Sequence, residues 1–220
     1  MSPRAKGKSR YKIPYLTEEF LRNNKDYIPY IAVTETWLKN YITDAQIAIE
    51  NYHIVRADRI KRRRGGTLLY IHDNIATTGE ESFDNDVCEV AICTVESQKT
   101  IVCSIYRPPD AEEEEFKAAI NFIQGYIDKR TVAGHYYLHL MGDFTLPEIT
   151  WNVNDNTPLL NIESSKCGQT LLAFMDKNFL SQYITSPTRV RNVLDLFLTN
   201  DPNLVLHTKV SDTHLSDHRK

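Results

Sequence analysis

Two apolar runs, Cys88 to Val95 and Ile101 to Tyr106, are parted by a polar turn holding Gln98 and Lys99 and shut off by Pro108-Pro109. Runs of this length bounded by turn residues read as strands, and the short polar turn makes them a hairpin. Proline has no N–H to give to a ladder, so the second strand stops there. Four more short runs read the same way: Tyr30 to Thr34, Thr67 to His72 entered through Gly65-Gly66, Tyr136 to Met141 leading into Gly142-Asp143, and Val193 to Thr199. Helical periods interleave with them. Asp110 and Glu112 to Glu115 open a helix with apolar Phe116, Ala119, Ile120, Ile123 and Ile127. Its acidic run suits the positive end of a helix and reads as a solvated first turn. Gln169 to Asn178 is a second helix. Thr17, with Glu18 and Glu19 behind it, caps a third that runs through Leu21 towards Lys25. Strands, hairpins and helices in this mixed order imply an α/β domain of two packed sheets flanked by helices.

The chain is 220 residues long and 41% hydrophobic, enough for one sizeable core, and no repeat or linker divides it. The net charge of -3 excludes a uniformly basic nucleic-acid binder, so attraction to phosphate must come from local patches and metal. The strongest patch is Arg59 to Arg64, read as a solvated loop, a DNA-backbone contact or a nuclear localisation signal. Cys88, Cys93, Cys103 and Cys167 lack the spacing of zinc or redox motifs and read as buried free thiols. That suits a reducing compartment, nuclear or cytoplasmic. No apolar run is long enough to span a membrane, and Met1 to Tyr11 is basic and polar, unlike a secretory leader.

Acidic and imidazole side chains recur where a strand ends and a loop begins: Glu35, Asp143, Asp195 and the pair Asp217-His218. Carboxylates are the hard oxygen ligands that Mg²⁺ prefers. A histidine beside an aspartate can be held in one tautomer to share a proton or steady a phosphoryl oxygen. Hydrolysing a phosphodiester needs an activated water and charge neutralisation at phosphate, which Asp, Glu and His can supply together. The chain has no Walker-type glycine loop, no G-x-S-x-G and no H-E-x-x-H. His53, His72, His135, His139, His207 and His214 show no ligand-like spacing and read as structural or surface residues, and Trp37 and Trp151 as packing residues.

The ordered set resembles a known family. Thr34-Glu35-Thr36-Trp37-Leu38 resembles the T-E-T-W-L motif of LINE endonucleases, and Arg63-Arg64-Gly65-Gly66 with Tyr70-Ile71 resembles their R-G-G-G-x-x-x-Y-I stretch. Ile105-Tyr106-Arg107-Pro108-Pro109 matches Y-R-P-P, and Gly142-Asp143-Phe144-Thr145 resembles G-D-F-N. Pro187-Thr188-Arg189 followed by Val193-Leu194-Asp195-Leu196 matches P-T-R…I-L-D-L, and Leu215-Ser216-Asp217-His218 matches the terminal S-D-H. The resemblance is to the endonuclease domain of LINE-type (non-LTR) retrotransposons, on the apurinic-endonuclease-like branch of the endonuclease/exonuclease/phosphatase superfamily. It implies a four-layer α/β/β/α sandwich and a Mg²⁺-dependent phosphodiesterase, Mn²⁺ being the alternative metal. Such an enzyme nicks DNA for target-primed retrotransposition, with a reverse transcriptase domain as partner in a complete element. Carried over by position, Glu35 binds the metal, with Asp217 on the metal side. Tyr106 touches the scissile phosphate and Asp143 orients or deprotonates the attacking water. Asp195 holds His218, which contacts the phosphate. Thr145, Ser216, Arg64, Thr188 and Arg189 are candidate phosphate or DNA contacts.

Three departures from the family pattern carry expectations. Thr145 stands where the family has Asn, whose amide offers a donor and an acceptor that a hydroxyl cannot replace. Residues 1–11 are basic and match the family poorly, without the Asn that the family's first strand gives to the metal. The family-like domain, 12–220, ends two residues after His218, before the closing strand. A first and last strand that are missing or degenerate, and impaired activity, follow from these. The competing expectations are a catalytically inactive remnant that keeps the fold, or a phosphatase of the same superfamily.

Overall fold

The computed structural model describes residues 21, 27–62, 64–152, 158–160, 165–201, 203–205 and 207–210. The helix expected from Thr17 lies outside them except for Leu21, which is helical, as do Arg63, Ser216, Asp217, His218 and the basic segment 1–11.

Among the described residues, six strands form the larger sheet. They are β4 (Thr78–Asp84), β5 (Glu89–Val95), β6 (Thr100–Tyr106), β7 (Tyr137–Asp143), β10 (Ser181–Gln182) and β11 (Asp195–Thr199), in the order β10-β11-β7-β6-β5-β4. The β5–β6 hairpin turns through a 3-10 turn at Glu96–Gln98, with Lys99 in the left-handed region. The smaller sheet has the order β1-β3-β2, from β1 (Tyr30–Thr34), β2 (Tyr52–Ala57) and β3 (Thr67–His72). A third pair, β8 (Ile149–Trp151) and β9 (Pro158–Leu160), stands beside them.

Alternation along the central strands makes the layers. Val90 and Ile92, Ile101, Cys103 and Ile105, Leu138 and Leu140, Leu196 and Leu198 face α2 (Glu113–Thr131) and α3 (Lys166–Lys177). The opposite parity, with Ala91, Cys93, Val95 and Val102, packs on Val55, Leu69 and Ile71 of the smaller sheet. The far face of that sheet, with Leu68 and Tyr70, is covered by Leu38, Ile42 and Ile49 and by Ile47 of the short helix α1 (Asp44–Ile47). The α/β/β/α layering of the sequence reading is the observed architecture. All four cysteines are free and buried, and burial pushes the Cys88 and Cys93 thiols up to about 12, which keeps them protonated.

The helices differ from expectation mainly at their ends. The α2 helix opens after Glu112, whose N–H donates to the Glu115 carboxylate at 2.9 Å. The α3 helix begins three residues before the expected Gln169, because the Ser165 hydroxyl caps it by accepting the Gly168 N–H at 2.9 Å.

Candidate active site

The four central strands of the larger sheet meet at one rung. Glu89 pairs with Tyr106, Tyr106 with Asp143, and Asp143 with Asp195. All four have the parity of Ala91, Val102 and Met141, so they face the smaller sheet. The sequence expectation that Asp195 ends a strand is corrected here: it begins β11. Because β11 runs antiparallel to β7, the start of one lies opposite the end of the other. The loops beyond are sewn to this rung, with Arg107 N donating to Asp143 O and Phe144 N to Leu194 O, both at 2.9 Å. Gly142, just before Asp143, has φ +147°, and a Cβ there would collide with the Ile105 carbonyl on the neighbouring parallel strand.

Glu35 arrives from the other sheet. It follows β1 with φ +52°, and its neighbours are fixed by Thr36 N to Gly66 O (3.2 Å) and Trp37 N to Gly65 O (2.8 Å). Gly66 has φ +88° and lies so close to the Thr36 hydroxyl that a Cβ would not fit. The Tyr106 hydroxyl donates to Glu35 Oε1 at 2.7 Å, joining the two sheets at this edge. Burial, reinforced by that hydrogen bond and by the charges of Glu35 and Asp143, raises the Tyr106 hydroxyl far above its ordinary range. Tyr106 is therefore a neutral donor at any physiological pH.

Beneath Tyr106 lies a pair that sequence reading missed. Glu89 is fully buried and accepts from Arg59 Nε, from Arg59 Nη2 at 3.0 Å and from Gly66 N at 2.9 Å. Burial pushes the Glu89 carboxyl up, against the pull of Arg59 and the Gly66 N–H. The doubly bonded guanidinium holds the pair ionic. The Arg59 guanidinium also sits over the Tyr106 ring, 5.4 Å from its centroid. Reading Arg59 to Arg64 as a solvated loop is thus wrong for Arg59, which is buried, whereas Ile60, Lys61, Arg62 and Arg64 are exposed. The available signal was Glu89 itself, a charge inside a run that otherwise reads as buried strand.

The Gly142-Asp143-Phe144-Thr145 turn is held from below by Arg107. Its buried guanidinium donates to the carbonyls of Pro108 (3.2 Å), Phe144 (3.2 Å), Thr145 (2.9 Å) and Ala111 (2.7 Å). Thr145 does not continue an extended segment past Asp143. It sits at φ +40°, and both its N–H (2.9 Å) and its hydroxyl (2.7 Å) donate to Asp143 Oδ1. The two residues meet through a turn, not through strand alternation.

Thr188 is buried, and its hydroxyl accepts from Leu194 N (3.0 Å) and Asp195 N (3.1 Å), fixing the start of β11. Arg189 is half-buried in the turn that follows. Trp37 is not a packing residue: it is 54% exposed, with the Arg64 guanidinium 5.4 Å from its ring. Trp151 does pack against the main core. Glu35, Tyr106, Asp143 and Asp195 thus share one edge of the sandwich, while Ser216, Asp217 and His218 lie outside the described residues. Among the described residues no three His, Cys, Asp or Glu side chains gather closely enough to hold a metal, and none of the helices is long and apolar enough to cross a membrane.

Solved structures with this fold include the 3'-5' exonuclease NExo from Neisseria meningitidis, 15% identical, with a TM-score of 0.67 over 94% of this chain and 92% of that one. An endonuclease/exonuclease/phosphatase from Bacteroides vulgatus is 14% identical, with a TM-score of 0.60 over 94% of this chain and 87% of that one. An AP endonuclease from Archaeoglobus fulgidus is 12% identical, with a TM-score of 0.54 over 86% and 82%. At such identities the likeness is one of fold. No curated protein matches the sequence. Residues 100–220, more than half of the chain, match the family described as endonuclease-reverse transcriptase. It is to this endonuclease–reverse transcriptase family, on the endonuclease/exonuclease/phosphatase fold, that the chain belongs.

Proposed function

We propose that this edge is the active site of a divalent-metal-dependent phosphodiesterase that nicks DNA, the nick serving target-primed retrotransposition. The observation that carries the reading is the Tyr106 hydroxyl, which holds Glu35 at 2.7 Å while its own strand position pairs with Asp143. A metal-binding carboxylate and a water-activating carboxylate then flank one neutral hydroxyl donor. The donor chemistry fits a hard cation such as Mg²⁺ or Mn²⁺: carboxylate oxygen from Glu35, joined in this account by Asp217. A metal held there would supply charge neutralisation at the phosphate and would make the attacking water more acidic. Glu35 is held in place for it by Tyr106, whose hydroxyl is assigned to the scissile phosphate. Asp143 orients the attacking water and takes its proton. Asp195 steadies His218, which donates to the phosphate, and Ser216 adds a further contact. Arg64, stacked on Trp37, and Arg189 are assigned to the DNA backbone, while Thr188 acts from below by fixing Asp195.

Thr145 favours a weakened enzyme. Its hydroxyl is engaged with Asp143 Oδ1, and it lacks the amide donor and acceptor that the family's Asn would offer the water or the phosphate. Losing a preorganised contact of this kind costs on the order of 10²–10³ in rate. The test is nicking of supercoiled plasmid with Mg²⁺ and with EDTA, beside Asp143→Ala and beside hydrolysis of p-nitrophenyl phosphate. Slow nicking that needs the metal and Asp143 supports the reading. Monoester hydrolysis without nicking points to a phosphatase, and no metal-dependent activity on either substrate points to an inactive fold.

A further inference from the structure

Resting on the reading of Glu35 and Tyr106 as site residues, we infer that the buried Arg59–Glu89 pair is a positioning device for them. It sets Glu35 through the Gly65-Gly66 loop and Tyr106 through its ring, and touches no substrate itself. Inner positions next along the same strands are apolar or uncharged, as at Ala91, Cys93 and Val102 and at Ser104. Burying two charges in place of such residues gains little stability, because desolvation offsets their attraction. Glu89 is nonetheless fully buried and Arg59 only 5% exposed, directly below the proposed centre.

The contacts of the pair run in two directions and meet again at one residue, Glu35. Along the first, Glu89 Oε2 accepts the Gly66 N–H, Gly66 O accepts the Thr36 N–H, and Thr36 adjoins Glu35. Arg59 fills the space that a Cβ on Gly65 would need, and Gly65 O accepts the Trp37 N–H on the other flank of Glu35. Along the second, the Arg59 guanidinium lies over the ring of Tyr106, whose hydroxyl donates to Glu35 Oε1. Arg59 Nη2 also donates to the Val87 carbonyl, anchoring the guanidinium at the entry to β5. A pair that served only to tie the loop to β5 would need the first set of contacts and not the second. Glu35 has left-handed backbone, φ +52°, which an unsupported glutamate does not prefer. A support on both sides of it is what the pair supplies.

The test replaces the charges with apolar groups of similar volume, Arg59→Met with Glu89→Leu, a change that buried ion pairs often tolerate in stability. Three quantities are read on the full chain: thermal midpoint, amide hydrogen exchange by NMR, and Mg²⁺-dependent nicking split into kcat and KM. The midpoint is expected to stay close to the parent's. Exchange at Thr36, Gly66 and Trp37 should quicken by about 10-fold or more while β5 and β6 amides keep their protection. A site loosened by ~1 Å loses ~10²-fold in rate, so kcat falls by that order while KM for DNA moves by less than about threefold. Parent-like exchange and parent-like kcat in a folded double variant overturn the proposal, and so does a loss of protection that spreads evenly over β5 and β6. If the double variant does not fold, Arg59→Lys decides: it keeps the charge and loses the planar fork, so an unchanged kcat and unchanged exchange overturn the proposal. A parent chain with no Asp143-dependent nicking would defeat the function reading alone, since exchange at Thr36, Gly66 and Trp37 still judges the positioning.

Discussion

Thr145 shows how far a single residue can be read before a structure is seen. That Thr stands in place of the family's Asn is plain in the sequence, and the lost amide chemistry follows from it. The backbone is not plain: φ +40° at a β-branched residue is disfavoured, and strain of this kind costs about 1–3 kcal/mol. Asn tolerates the left-handed region far better. Thr145→Asn is therefore expected to raise the thermal midpoint by roughly 2–4 °C per kcal/mol of strain relieved, and to speed Mg²⁺-dependent nicking as well. Differential scanning calorimetry checks the first effect, and an unchanged or lower midpoint would show that Thr145 is accommodated without strain. Glu89 and Arg59 are the opposite case. Nothing in an apolar run with one charge, or in a basic run with one buried member, announces that the two meet 30 positions apart.

At the scale of elements, what the sequence showed well was the nearly unbroken apolar run. Tyr30–Thr34 and Thr67–His72 have the expected bounds, and the β5–β6 hairpin is displaced by a residue at most at each strand start. The strand β4, by contrast, reads Thr-Gly-Glu-Glu-Ser-Phe-Asp and is largely exposed at a sheet edge, with no apolar alternation to reveal it. The strand β2, Tyr-His-Ile-Val-Arg-Ala, was hidden for another reason: His53 and Arg56 interrupt its apolar residues and leave only Ile54 and Val55 side by side. The parallel β6–β7 pair brings a demand of its own at Gly142, whose neighbour is the Ile105 backbone and cannot yield. Gly142→Ala is expected to destabilise the fold by about 3 kcal/mol or more, at the upper end of what single substitutions do. Urea unfolding measures it, and a loss below about 1 kcal/mol would mean that the two strands part more easily than their register suggests.

The whole molecule is two sheets closed on each other, and its inner layer changes from apolar to ionisable towards the proposed site. On that inner face His139 is buried between the rings of Tyr30 and Phe197, its Nε2 without a hydrogen-bond partner among the described residues. Burial pulls its pKa down to about 4, with Asp201 pulling weakly the other way. The folded state thus refuses a proton that the unfolded chain takes up below about pH 6.5. The contribution is whole above that pH and is lost as pH falls to about 4, at up to about 1.4 kcal/mol per pH unit. The parent should lose stability across this window more steeply than His139→Phe, as urea midpoints at a series of pH values would show, and parallel curves would contradict it. The site is likewise a property of the whole, since Glu35 comes from one sheet and Tyr106, Asp143 and Asp195 from the other. Sequence order alone suggested that they converge; the antiparallel start of β11 and the Tyr106 hydroxyl are the physical means, and neither was legible before the sheets were paired. The most direct measurement is the Mg²⁺-dependent rate of plasmid nicking for Glu35→Gln, Asp143→Ala and the two together. One centre predicts that each single change abolishes the metal-dependent rate and that the double variant is no slower than the slower single. A Glu35→Gln chain that nicks at the parent's rate with the parent's metal dependence would contradict it.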